Sequence, residues 1–183
     1  MEEDVIMTPI GILMVEHRFI DRMVELMGRE LEKIGQGKKP DLIFIDGAID
    51  FAQTYADACH HGKEERILFE KLAMKNLLSA HKKLMDELVL EHIQSRKIIT
   101  NLGMARESYV KGESQAVRAI LTISRTLAEF YPGHMQKEEG IFFTASMEYF
   151  SKREQEEMVK KFWEFDKDLL LEKYVTFMDQ YDR

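Results

Sequence analysis

The sequence predicts an all-α protein: an up-down bundle of four long helices with an additional C-terminal helix. Three observations predict it. Apolar residues recur at three- and four-residue steps along nearly the whole chain, which is the period of amphipathic helices. No segment alternates apolar and polar residues in the manner of a strand. Only three of the 183 residues are proline, and polar or glycine-containing interruptions fall far enough apart to bound long helices.

The first helix is announced by Thr8 as a cap and Pro9 in the first helical position. Its stripe runs Ile10, Leu13, His17, Ile20, Val24, Met27 and Leu31, and it stops in the segment GQGKKP. A second helix starts near Asp41 and carries Phe44, Ala48, Phe51, Tyr55, Ala58, His61, Glu65, Leu68 and Leu72 to about Asn76. Ser79 is placed to cap the third, with Leu84, Leu88, His92, Ser95, Ile99 and Leu102 in phase and Gly112 closing it. The fourth begins near Glu113 or Ser114, with Ile120, Ile123, Leu127, Tyr131, His134, Glu138, Ile141 and Ala145 on its stripe. Pro132 removes a backbone donor within it and is expected to re-aim the helix rather than end it. SKRE, Ser151 to Glu154, reads as a capping box opening a fifth helix through about Met178, with Phe162, Phe165, Leu169 and Tyr174 available to pack.

A chain of this length falls within the span of one domain, so residues 1–183 are read as one, with the bundle over about 8–150 and the appended helix over about 151–180. Lys and Arg are dispersed and the net charge is −7, which excludes the basic footprint of a nucleic-acid binder. Apolar runs such as Leu42 to Ile45 fall far short of the roughly 20 residues of a membrane span. The opening MEEDVIMTPIGILMV has no basic segment before its apolar residues, so it is not read as a secretory signal. Cys59 is the only cysteine, which rules out an intrachain disulfide and a thiolate-built metal site; a cytoplasmic protein is expected.

Two stretches resemble each other, HGKEERILF from His61 and HMQKEEGIFF from His134. Residues four apart share a helix face about 6 Å apart in rise, so His61 with Glu65, and His134 with Glu138, can each converge on one point. Large apolar residues follow both glutamates at three and four positions, which turns them inward. His17, His61, Glu65, His92, His134 and Glu138 come from four helices and each falls within an apolar stripe. A buried carboxylate costs several kcal/mol unless it is paired or metal-bound, so two among uncharged imidazoles call for cations. His60 with Glu64 has the same spacing but lies beside the stripe, and His81 lies near its helix start, so both are expected to be solvated. Imidazole and carboxylate without thiolate favour iron or manganese over tetrahedral zinc, and iron is the expected metal.

These segments resemble the hemerythrin-like (HHE cation-binding) family, which has a histidine on each of four helices and two His-x-x-x-Glu segments followed by apolar residues. EHRFIDRM around His17, HHGKEERILF, LEHIQSR around His92 and HMQKEEGIFF carry the resemblance, over roughly residues 8–150. It implies two iron ions with an oxo or hydroxo bridge, one on His17 and His61, the other on His92 and His134, with Glu65 and Glu138 spanning both. Oxygen-carrying members place a further histidine where this chain has Arg96, so one ligand is missing from the expected set. Tyr131, one turn before His134, is the preferred replacement, with Tyr55 and Glu91 as alternatives.

Three functions fit these residues. The first is an O2- or iron-responsive binding, sensing or storage protein. The second is a di-iron enzyme that reduces peroxide or nitric oxide, with Arg96 supplying charge to a bound anion. The third, of a different class, is a metal-free interaction module whose aromatic-rich last helix binds another protein or serves as a homodimer contact.

Overall fold

The computed structural model describes residues 7–166 and 171–182, and among these every regular element is helical. Helix α1 spans Pro9–Gly35, α2 runs continuously over 42–73, and α3 spans Ser79–Val110. Helix α4 runs over 116–147, followed by α5, Lys152–Asp166, and α6, Leu171–Tyr181. The first four form the up-down bundle, with α3 against α4 and α4 against α1 as its most extensive contacts. None of the described helices is long and apolar enough to cross a membrane.

The termini are built from the expected residues. Thr8 Oγ1 accepts from the Gly11 N–H at 3.1 Å with Pro9 in the first turn. Asp41 caps α2 by accepting from Ile43 and Phe44 N–H at 3.0 and 3.1 Å. After α1, Gly37 takes φ +87° and Lys38 N–H reaches back to the Lys33 carbonyl, and Gly112 does the same after α3 at φ +78°. This left-handed position after a helix favours glycine because it has no Cβ to clash. Ser79 is the first residue of α3 rather than its cap; the N–H of Leu78 before it donates to the Tyr149 hydroxyl.

The core is divided in two. One apolar cluster gathers Ile20, Met27, Phe44, Phe51, Ile99 and Leu127. The other gathers Leu13, Leu68, Phe69, Leu88, Phe142 and Phe143. Between them each of the first four helices contributes polar residues, and this band holds the candidate site.

The C-terminal helices complete both halves. Met158 and Phe162 of α5 are buried in the second cluster, and Tyr174 and Met178 of α6 in the first. One unbroken helix from 151 to 178 was expected; its middle, 167–170 with Leu169, lies outside the described residues. Both helices meet α2 at glycines. A Cβ on Gly47 would lie 2.1 Å from the Phe177 ring of α6, and one on Gly62 would lie 2.9 Å from the Phe165 ring of α5.

Phe177 packs between Phe44 and Tyr181, so Gly47→Ala must displace a ring that has neighbours on two sides. It is expected to destabilise the fold by about 1–3 kcal/mol in urea unfolding, although alanine is the better helix former. At the start of α5 the capping box forms as predicted: Glu154 accepts from the Ser151 N–H at 2.8 Å and its hydroxyl at 2.9 Å, and bonds Lys75 at 2.6 Å. Lys75 and Ser151 hold the Glu154 carboxyl at about 2 against an ordinary 4.5. A depressed carboxyl stabilises the fold above its unfolded value and loses that contribution as pH falls through the folded one. Amide protection over the first turn of α5, relative to the intrinsic exchange rate at each pH, is therefore expected to fall between pH 4.5 and about 2, and Glu154→Gln to abolish that fall.

Candidate metal centre

Local helix geometry decides which side chains enter the polar band. Helix α2 widens into π-helical turns over Ala52–His61 and Glu64–Phe69, and α4 does so over Glu138–Phe142. A π turn bonds i to i+5 and takes more residues than an α turn, so the buried stripe slips along the sequence. On α2 the slip leaves Ala58 exposed and buries Cys59, His60, His61 and Glu64. Glu65, expected inward from a 3.6-residue period, is only partly buried. On α4 the same slip exposes Ile141 and buries Phe142 and Phe143 in its place.

Seven side chains therefore converge. His17, His60, Glu64 and Glu138 offer donor atoms within 4.8 Å of one another, and His61, His92 and His134 form a second such group. All seven are essentially cut off from solvent. The two carboxylates join the groups. Glu138 lies with Oε2 3.2 Å from His17 Nε2 and Oε1 3.2 Å from His134 Nε2. Glu64 lies with Oε1 3.6 Å from His60 Nε2 and Oε2 3.4 Å from His92 Nε2. Despite this closeness, all four of these oxygens and the Nε2 atoms of His92 and His134 lack a hydrogen-bond partner among the described residues.

The outer edges of the rings explain this inward convergence. Each histidine directs Nδ1 at a carboxylate: His17 at Glu139 (2.8 Å), His60 at Glu16 (2.9 Å) and His61 at Asp57 (3.3 Å). His92 meets Glu65 at 2.7 Å and His134 meets Glu91 at 2.9 Å. A carboxylate acceptor fixes the proton on Nδ1, so in a neutral ring the Nε2 lone pair faces the centre. His17 Nε2 and His60 Nε2 stand 3.0 Å apart, and two lone pairs at that distance need a shared positive charge.

Cations hold most of these outer carboxylates in turn. Arg96 donates to both Asp57 and Glu65 at 2.7 Å, Lys137 bonds Glu91, and Lys63 bonds Glu16. The arrangement is layered, with imidazoles inside, carboxylates around them and cations outside.

The buried groups push one another's protonation in opposite directions. Burial and then the nearby Glu138 push the Glu64 carboxyl well up, whereas Glu138 is drawn down against burial by His134, His17 and His92. Burial, together with the surrounding imidazoles, drives His61 far down, and burial takes His60 to about 4. His134 is lifted to about 10 despite burial because Glu138 and Glu91 flank it. A cation at the centre must displace such protons, so uptake weakens as pH falls.

Of the residues singled out from sequence, the structure brings together His17, His61, His92, His134 and Glu138. It does not include Glu65, which orients His92 and pairs with Arg96; Glu64 stands in the centre instead. His60, expected in solvent, is 1% exposed and supplies a fifth imidazole. That histidine makes a replacement for the residue at Arg96 unnecessary. Tyr131 and Tyr55 are buried but belong to neither group of converging atoms, Tyr55 stacking on Phe51 instead. Glu91 orients His134, and Arg96 has its guanidinium engaged by two carboxylates. His81 sits apart on the Tyr149 hydroxyl at 2.8 Å. The missed signal was in plain view: His60 and Glu64 repeat the spacing of His134 and Glu138.

Unpaired buried oxygens shared between two sets of imidazoles are a donor set that cations would satisfy. Bundle and centre together define a helical protein that could hold metal on histidine and glutamate at mid-bundle. Residues 8–146 match the family described as hemerythrin HHE cation binding domain, and the chain belongs to that family. No curated protein and no solved structure matches the chain.

Glu64 and Glu65 give opposite expectations. Glu64→Ala is expected to lower the number of metal ions retained per chain, because it removes a donor from both groups. Glu65→Gln is expected to keep the stoichiometry and weaken affinity about 10- to 100-fold, the usual effect of losing a carboxylate that orients a ligand. Metal titration followed by elemental analysis separates the two.

Proposed function

We propose that this chain binds two iron ions between its seven central side chains and that the loaded centre takes up dioxygen or a related small ligand. The observation that carries the reading is the pair of orphaned carboxylates, each with one oxygen toward either group of imidazoles. Glu64 and Glu138, which lie between the two groups, would serve both ions, His17 and His60 would hold one, and His61, His92 and His134 would hold the other. With no thiolate among them, the donors favour iron or manganese over a four-coordinate zinc site. Bound iron supplies reversible redox chemistry toward O2. The protein's own side chains orient the imidazoles, neutralise the ions and exclude water with apolar clusters above and below.

The two groups are unequal. His17 and His60 are two imidazoles where the other group has three, so an ion there would have one fewer imidazole donor and could accept a small exogenous ligand in its place. Arg96 is tied to Asp57 and Glu65, which favours binding or sensing over a role for Arg96 in holding an anionic substrate. Peroxide or nitric oxide reduction is the alternative that the same vacancy permits.

Anaerobic loading with ferrous iron is expected to give two ions per chain, and mixing with O2 to produce near-ultraviolet absorption of an oxidised, bridged pair. His60→Ala is expected to retain the ion on the three-histidine side and lose the other, with loss of the O2-dependent band. Failure of the wild type to retain iron, or a spectrum indifferent to O2, peroxide and nitric oxide alike, rules the proposal out. Catalytic peroxide loss under the same conditions identifies the enzyme.

A further inference from the structure

Beneath His60 lies a buried charge network that reaches a helix outside the matched family region. Lys63 has a fully buried side chain, yet it carries a cation that bonds Glu16 and, at 2.6 Å, Asp166. Glu16 in turn accepts from His60 Nδ1 through its other oxygen at 2.9 Å. Asp166 is the last residue of α5 and takes a further bond from the Cys59 thiol at 2.9 Å. A continuous path of charged contacts therefore runs from His60 through Glu16 and Lys63 to Asp166, twenty residues beyond the end of the family match at residue 146.

We infer that Asp166 is a positioning residue of the metal centre, acting through Lys63 and Glu16 on the imidazole of His60. The inference rests on the two-metal reading of the site.

Charge gives the reason. Lys63 shared between two carboxylates leaves Glu16 with surplus negative charge, and that surplus strengthens its hold on the His60 N–H. An imidazole whose N–H is held by a strong acceptor is a better donor through its other nitrogen. Without the Asp166 charge, Lys63 is neutralised by Glu16 alone, and Glu16 becomes a poorer acceptor for His60. A buried charge deprived of one partner also seeks its remaining partner at the expense of geometry.

Packing supports the same role independently. Helix α5 lies against α1 and against the Glu64–Phe69 turns of α2. Gly62, between His61 and Lys63, leaves the room that the Phe165 ring occupies; a side chain there would hold α5, and Asp166 with it, away from Lys63. The C-terminal helix is thus seated at the backbone that carries two imidazoles and one spanning carboxylate.

The test uses the full chain and zinc, a diamagnetic probe, with calorimetry for each binding step and the imidazole N–H signals by NMR. Asp166→Asn is expected to weaken the ion on His17 and His60 about 10- to 100-fold, leave the other ion unchanged and shift the His60 Nδ1–H signal. Asp166→Glu is expected to restore both. Met158→Ala, a buried α5 residue remote from this network, is expected to lower stability and leave both affinities as they were. Should Asp166→Asn fail to fold, Asp166→Ala removes the carboxylate without placing an amide beside Lys63 and is expected to show the same selective loss. Wild-type affinity for both ions with an unmoved His60 signal in the Asp166 variant overturns the inference, as does an equal loss in Met158→Ala. A wild type that binds fewer than two zinc ions overturns the two-metal reading itself.

Discussion

Everything in this molecule is arranged around two carboxylates removed from water and left without hydrogen-bond donors. Glu64 and Glu138 are fully buried, their four oxygens have no hydrogen-bond partner among the described residues, and each surrounding imidazole turns its Nδ1 outward. An isolated buried carboxylate is costly enough to change its protonation or acquire a counter-charge. The fold tolerates both because five outward hydrogen bonds fix the rings around a common centre. Those rings are useful only as long as the outer carboxylates stay in place, which is the task of Arg96, Lys63 and Lys137.

The division of the core follows from the same constraint. A polar band across four helices separates two apolar clusters that would otherwise be one. Each helix has to present a histidine at the band and apolar residues on either side of it, as α1 does with Leu13, His17 and Ile20. Helix α5 covers the flank where the Glu64–Phe69 part of α2 departs from regular α geometry, and α6 packs on the regular first part of α2 around Gly47.

Much of this was legible in the sequence. Helix caps, the Gly37 and Gly112 terminators and the Ser151–Glu154 box have strong local signals, and the structure reproduces them. The inward histidines on α1, α3 and α4 follow from a constant period. Glu65 was misplaced because the period is not constant on α2: extra residues per turn move the buried stripe by one position, and Ala58 turns outward with it. Adjacent His60 and His61 both face the interior on this widened turn. Of the carboxylates that orient the rings, Glu65 and Glu91 were singled out from the sequence, as a ligand and a candidate further ligand or outer partner, whereas Glu16, Asp57 and Glu139 were not legible because they look like ordinary surface positions. Asp166 in particular is one acidic residue among many until the fold sets it on Lys63.

Cys59 draws a consequence from its surroundings. Burial pushes its thiol well up from the ordinary range, and Asp166 takes its proton as a hydrogen bond. Sulfur attacks oxidants as thiolate, so a thiol held in its protonated form is a poor target. Cys59 thus lies one residue from the candidate metal centre and is kept unreactive there. An oxidant reaching this part of the bundle would meet no thiolate through which one chain could be cross-linked to another.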